Sequence, residues 1–309
     1  MIEVEHLVKR YKGATVNAVD GISFRVTAGE LFALLGPNGA GKTTTISILT
    51  TTLAPTAGTV RIAGYDLRTA ASAVRRNVGI IFQRPSLDLN LSAEENVRLH
   101  AVLYGLYPFR PTFRLMPRAY RQQLHALAAI VGLGDEIFKP LRTFSGGMMR
   151  KLEIVRGLIH RPKVLFLDEP TTGLDVASRR SLWDYLRQVR AEHGTTIFLT
   201  THYLEEAEQA DQVCIINRGA IVAAGTPAAV KAQLIEEYLL LDAADRPALR
   251  AELERLGLPF SETPPFKVGL NGRSVHQILR AIATPLTLVR THAPSLEDAY
   301  LEIVGRSNE

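Results

Sequence analysis

The stretch Leu31 to Thr45, LFALLGPNGAGKTTT, constrains this chain more than any other. Leu31-Phe32-Ala33-Leu34-Leu35 has no polar residue, the pattern of a strand buried on both faces of a parallel sheet. Gly36-Pro37-Asn38-Gly39-Ala40-Gly41-Lys42-Thr43 then spells G-x-x-x-x-G-K-T, a phosphate loop. Thr44 to Leu53 reads as a helix with Ile46, Ile48 and Leu49 on its apolar side. Glycines let the backbone approach an anion, so successive N–H groups face phosphate oxygens, and the helix adds the positive end of its dipole. Lys42 supplies a point charge near the β- and γ-phosphates, and the Thr43 hydroxyl suits one position on Mg²⁺. With a strand before and a helix after, the expectation is a nucleoside triphosphate site running from Gly36 to Thr44.

At 309 residues there is room for one large domain and a smaller one. Charged residues make up 22% and hydrophobic residues 46%, which argues against extended disorder. The single cysteine, Cys214, has no internal disulfide partner and fits a reducing compartment. No signal peptide is expected from MIEVEHLVKRYKG, and no apolar run reaches about 18 residues, so no membrane span is expected. The net charge of +5 comes from scattered arginines, not from a stripe, and predicts no nucleic-acid partner.

Along the chain, Ile2–Val8, Gly21–Val26, Gly58–Ile62 and Val78–Phe82 read as strands. Two readings stand open for Tyr11, an ordinary packing aromatic or a ring that stacks on a base. Gln83 ends the strand at Val78–Phe82. From Ser92 to about His160 the pattern is helical, and Ser92-Ala93-Glu94-Glu95 is a capped start. Leu103–Arg118, rich in aromatics, prolines and arginines, reads as a surface connection or a partner contact.

Ser145-Gly146-Gly147 reads as a serine cap opening a helix. Its double glycine costs helix stability and makes sense if backbone N–H groups must reach an anion. Val164–Leu167 is a buried strand ending in Asp168-Glu169, two acids that need a cation or hydrogen bonds. Gly173-Leu174-Asp175 turns into a helix at Val176–Glu192, and the strand Thr196–Thr200 ends at Thr201-His202. A helix at Leu204–Asp211 and a hairpin, Val213–Asn217 with Ala220–Ala224, follow. The phosphate loop, Gln83, Asp168-Glu169 and His202 therefore all sit at carboxyl ends of apolar strands, which share one ligand-binding edge in an open parallel sheet.

Beyond Gly225 the texture changes to strands at Tyr238–Leu241, Phe266–Leu270 and Leu286–Arg290, with helices at Arg246–Leu256, Ser274–Ala283 and Ser295–Val304. The domain expectation is 1–228 and 229–309, the second a small α+β domain without a catalytic constellation.

These motifs resemble the ATP-binding subunit of an ABC transporter over about residues 1–225. GPNGAGKT is similar to the Walker A loop, VLFLDEP to Walker B, and Phe144-Ser145-Gly146-Gly147-Met148 to the signature motif. Gln83 matches the Q-loop, Gly173-Leu174-Asp175 the D-loop, His202 the switch histidine and Tyr11 the adenine-stacking aromatic. The resemblance implies an α/β P-loop NTPase fold with a RecA-like core, an antiparallel β subdomain and a helical subdomain at about 92–160. It implies ATP hydrolysis, with Mg²⁺ held by Thr43 and Gln83 and by Asp168 mainly through water. In that family pattern Glu169 polarises the attacking water, His202 holds the γ-phosphate and Lys42 stabilises developing charge. Ser145, Gly146 and Gly147 complete the site of a second copy in a head-to-tail dimer, with Asp175 linking the two sites.

The segment His292–Leu301 resembles the tail of daunorubicin-resistance-type exporter ATPases. Those act with a separately encoded ABC-2-type membrane permease, which implies a peripheral subunit on the cytoplasmic face of the cell membrane. Two departures stand out: Met148 occupies a signature position where Gln is commonest, and Tyr107–Arg118 is longer than usual. The competing expectation is a soluble ABC ATPase acting on a ribosome or in assembly. Ribosome-acting members usually carry two cassettes in one chain, and this chain carries one.

Overall fold

The computed structural model describes residues 1–83, 86–234, 238–292, 297 and 300. The chain divides into two units, Met1–Ala224 and Gly225–Glu309, each with a hydrophobic core of its own.

The first unit opens with β1 (Ile2–Lys9) paired antiparallel to β2 (Val19–Val26). After β3 (Leu31–Leu35) and α1 (Lys42–Leu49), the chain returns as β4 (Ala57–Ile62) and β5 (Tyr65–Asp66). Four of these strands form an antiparallel sheet in the order β2-β1-β4-β5. Alternation along β1 buries Ile2 and Val4, then breaks at a bulge where His6 has φ 49°, so that Leu7 points inward again.

Next come α2 (Ala71–Asn77), β6 (Val78–Ile81) and a helical segment. That segment holds α3 (Ala93–Leu103), α4 (Arg118–Ile130) and α5 (Gly146–Leu158), with 3₁₀ turns at Phe113–Leu115, Gly134–Phe138 and Leu141–Thr143. The capping box is present at α3, where Ser92 Oγ accepts from Glu95 N–H and the Glu95 carboxylate accepts from Ser92 N–H. Then follow β7 (Val164–Asp168), α6 (Val176–His193), β8 (Thr196–Thr201), α7 (Leu204–Ala207), β9 (Gln212–Asn217) and β10 (Ala220–Gly225). The main sheet runs β10-β9-β3-β8-β7-β6, and β9, β3, β8, β7 and β6 are parallel neighbours.

Every residue of β3, β7 and β8 is buried, as expected for central strands covered on both faces. Phe24, Phe32, Phe198 and Phe166 form a continuous chain of ring contacts with centroids 5.2–5.5 Å apart, the first three rings stacked and Phe166 tilted on Phe198. It ties the antiparallel sheet to the parallel one. Edge and stacking contacts of this kind add about 0.5–1.5 kcal/mol each beyond area burial.

Several elements differ from the sequence reading. Helix α1 starts at Lys42 and stops at Leu49, because the Thr50 and Thr52 hydroxyls donate back to the Ile46 and Ser47 carbonyls and Thr51 takes φ 63°. Helix α7 ends at Ala207, not at Asp211. Helix α2, of which only the solvated face at Arg75-Arg76 is legible in the sequence, buries one side chain, Val74, and so has almost no apolar periodicity to fix its ends.

In the second unit, α8 (Pro227–Leu234), β11 (Tyr238–Ala243), α9 (Arg246–Arg255), β12 (Phe266–Gly269), α10 (Val275–Ala281) and β13 (Leu286–His292) follow one another. The strands form an antiparallel sheet, β12-β11-β13. Leu239, Leu241 and Ala243 line one face of β11 and are buried with Leu249, Leu253 and Ile278. The expected helix at Ser295–Val304, and most of the segment that resembles exporter tails, lie outside the described residues.

Candidate active site

The phosphate loop leaves the end of β3 in space that only glycine fits. A Cβ on Gly36 would stand 2.3 Å from the Ile216 carbonyl oxygen, and one on Gly41 (φ 110°) would stand 2.5 Å from the Ala18 carbonyl oxygen. Lys42, 4% exposed, opens α1 and folds back over the loop. Its Nζ donates to the Gly36 carbonyl at 2.8 Å and the Pro37 carbonyl at 3.1 Å, and lies 3.5 Å from Glu169 Oε1. Burial lowers its pKa, opposed by the charge of Glu169 and a hydrogen bond to it. Tyr11 reaches the same loop: its hydroxyl is 3.2 Å from Thr44 Oγ1, and its ring is 46% exposed with Lys9 Nζ 5.6 Å from the centroid. An exposed ring held beside a phosphate loop presents a face for stacking.

Glu169 is the hub. Gln83 Nε2 donates to its Oε2 at 3.2 Å, Thr172 Oγ1 donates to the same oxygen at 3.4 Å, and Lys42 Nζ and His202 Nδ1 both lie within 3.5 Å of Oε1. The His202 contact, at 3.4 Å, is a proximity and not a hydrogen bond, and the ring packs on Tyr203 at 4.0 Å. The Glu169 backbone has φ 45°, in the left-handed region that a side chain such as glutamate seldom takes. Such strain costs of order 1–3 kcal/mol and persists where neighbours hold it. Here the Glu169 N–H is held by the carbonyl and hydroxyl of Thr200, both at 3.1 Å.

Asp168, 4% exposed, accepts from Thr200 Oγ1 at 2.5 Å. Burial raises its carboxyl pKa, and the Thr200 hydrogen bond counteracts only in part.

Ser145, Gly146, Gly147 and Asp175 form a second group. Ser145 caps α5, accepting from the Met148 N–H at 3.2 Å, and Asp175 caps α6, accepting from the N–H and hydroxyl of Ser178 at 2.8 and 2.9 Å. Those bonds hold the Asp175 carboxyl below the usual range. A Cβ on Gly147 would stand 2.8 Å from Ser178 Oγ, while one on Gly146 would meet open space. Among the described residues, no hydrogen bond or ion pair joins this group to Lys42 or Glu169. The structure thus brings together Lys42, Gln83, Glu169 and His202, sets Asp168 and Tyr11 beside them, and leaves the Ser145–Gly147 and Asp175 group apart.

Sequence reasoning overlooked Thr200, Arg150 and Glu153. Arg150 and Glu153 are 6% and 1% exposed, and their i, i+3 spacing one turn after the double glycine was the available signal.

The model of the family described as ABC transporter matches residues 19–172. The daunorubicin/doxorubicin resistance ATP-binding protein DrrA of Streptomyces peucetius is 38% identical, over 98% of this chain and 92% of its own length. The chain belongs to the ABC transporter family. The Nod factor export ATP-binding protein I of Ralstonia nicotianae is 37% identical over 99% of this chain and 94% of its own length. A solved ATP-binding subunit of an ABC transporter superposes with a TM-score of 0.66 at 32% identity, covering 75% of this chain and 92% of that one. The fold is therefore the P-loop NTPase fold of ABC cassettes, the bound nucleotide is ATP, and the enzyme is an ABC ATPase.

Proposed function

We propose that this ABC ATPase is the energy-supplying subunit of an exporter, working as a head-to-tail dimer with a separately encoded ABC-2-type permease at the cytoplasmic face of the membrane. The observation that carries the export reading is the near full-length similarity to proteins named for drug resistance and Nod factor export. No helix among the described residues is long and apolar enough to cross a membrane. Residues 1–228 are assigned as the ATP-binding domain, with its helical subdomain at about 92–160, and 229–309 as a small α+β domain. The Leu103–Arg118 connection, with Leu103, Phe109 and Leu115 exposed, is assigned to the partner.

The divided site supports the dimer. Gly146 stands open at the N-terminus of the 13-residue helix α5, where backbone N–H groups and the helix dipole favour an anion. A second copy can present that terminus to the phosphates held by Gly39 to Thr44 in the first, with Asp175 at the seam. In each composite site Tyr11 stacks on adenine. Lys42 leaves the Gly36 and Pro37 carbonyls and Glu169 for the triphosphate. Glu169, relieved of that ammonium, accepts a proton from the attacking water, which His202 holds against the γ-phosphate.

Thr43, Gln83 and Asp168 offer a hydroxyl, an amide oxygen and a carboxylate, hard donors that suit Mg²⁺. Among the described residues no cluster of three or more His, Cys, Asp or Glu could hold a metal. The buried Asp168 gains a counter-charge when the ion binds. An Mg²⁺ ion held by these residues would supply positive charge against the transferring phosphoryl group.

Asp168→Asn separates these terms. A raised folded-state pKa means stability present below the unfolded carboxylate pKa and lost as pH rises through the folded one, so at neutral pH the charge is a cost. The variant is expected to melt higher than wild type without nucleotide and to lose at least ~10-fold of Mg²⁺-dependent turnover. A nucleotide-free melting temperature that falls counts against the uncompensated charge.

Purifying the tagged chain from detergent-solubilised membranes tests the whole reading. Recovery of an integral membrane protein of the ABC-2 type is expected; ribosomes in its place would overturn export.

A further inference from the structure

Arg150, 6% exposed, makes four hydrogen bonds near the site, none of them to the phosphate loop. Its Nη1 donates to the Phe82 carbonyl at 2.5 Å, its Nε to the Pro170 carbonyl at 2.9 Å, and its Nη2 to the Asp168 carbonyl at 3.4 Å. Phe82 precedes Gln83, while Asp168 and Pro170 bracket Glu169. A single guanidinium therefore holds the backbone on both sides of Glu169, the residue at φ 45°, and the backbone that carries Gln83.

One turn further along α5, Glu153 accepts from Arg150 Nη1 at 2.9 Å and from Ser86 N–H at 3.2 Å. Arg156, another turn on, donates to the Ser86 carbonyl and hydroxyl, both at 2.6 Å. Arg150, Glu153 and Arg156 lie on one face of the helix that begins at Gly146. That face grips the chain before Gln83 at Phe82 and after it at Ser86. Five planar donors in a fixed fork suit this multi-carbonyl task, and an ammonium does not.

We propose that Arg150 is a positioning residue for ATP hydrolysis, setting the Glu169 turn and the backbone of Gln83 from the helix that carries Ser145. It rests on the assigned roles of Glu169 and Gln83 but not on the dimer. The Arg150 bonds go to the Pro170, Phe82 and Asp168 carbonyls and to Glu153, none to the phosphate loop, so its loss is expected to move the chemical step and leave nucleotide affinity in place.

The test compares Arg150→Gln, Arg150→Lys and the paired neutral variant Arg150→Gln/Glu153→Gln, which leaves no unpaired buried carboxylate if the single change fails to fold. For each, steady-state kcat and KM, equilibrium binding of a fluorescent ATP analogue, and melting temperature are measured beside wild type and Glu169→Gln. Expected is a kcat at least ~10-fold below wild type in both glutamine variants, with analogue affinity within about 2-fold and partial recovery in Arg150→Lys. Folded glutamine variants with wild-type kcat would overturn the proposal, as would affinity falling in step with kcat. If instead Glu169→Gln itself turns over normally, the assignment of Glu169 has failed and not the positioning by Arg150 of that turn.

Discussion

Glu169→Gln is expected to lower steady-state ATP turnover at least ~100-fold while ATP still binds. That factor corresponds to about 2.7 kcal/mol of transition-state stabilisation. The substitution keeps the side chain's length and its capacity to pair with Gln83 Nε2 and Thr172 Oγ1, both of which meet Oε2. It removes the charge that faces Lys42 at 3.5 Å and the site that accepts a proton from water. The phosphate contacts made by the glycine loop and Lys42 are untouched, so nucleotide affinity should hold or rise, since Lys42 no longer has a competing anion beside it. With binding intact and hydrolysis slow, the ATP-bound state accumulates. In the proposed dimer, size-exclusion chromatography with ATP and Mg²⁺ should shift the variant toward the dimer, and the wild type less so. Normal turnover by the variant would remove Glu169 from the role of general base.

The same residues show how far the chain can be read without coordinates. β3, β7 and β8 are legible because central parallel strands must be apolar throughout, and G-x-x-x-x-G-K-T between a strand and a helix leaves little else to be. The convergence of Gln83, Glu169 and His202 follows from strand order: each sits at the carboxyl end of its strand, and β6, β7 and β8 are neighbours. What does not follow is the hub itself. Nothing in LFLDEP says that Glu169 takes a left-handed backbone, nor that Lys42 rests on loop carbonyls. Those are outcomes of close packing around the strand ends. Arg150 was only faintly legible for a related reason: its spacing from Glu153 hints at a pair, and only the fold shows three carbonyls converging on it. In the second unit, alternation along β11 gives the core face, but short β12 and α10 carry too few periodic positions to fix their ends.

Lys42→Ala and Ser145→Ala, each inactive alone, should recover activity when mixed. Lys42 is 4% exposed and already pointed along the loop, so its truncation removes a side-chain cation that contacts Glu169 and is placed for the phosphates. Productive triphosphate binding should weaken and turnover fall at least ~100-fold. Ser145 makes no bond to that cluster within its own chain; its hydroxyl caps α5 and receives only the Met148 N–H. If each site is completed by the partner's α5, a mixed dimer has one site carrying both defects and one carrying neither. Random exchange makes about half the dimers mixed, so roughly a quarter of all sites become wild type, and turnover should approach that fraction if sites act independently. Were each site complete within one chain, mixing would give only the average of two inactive proteins. A mixture that stays at that average, under conditions where labelled subunits demonstrably exchange, would leave the divided site without its second half.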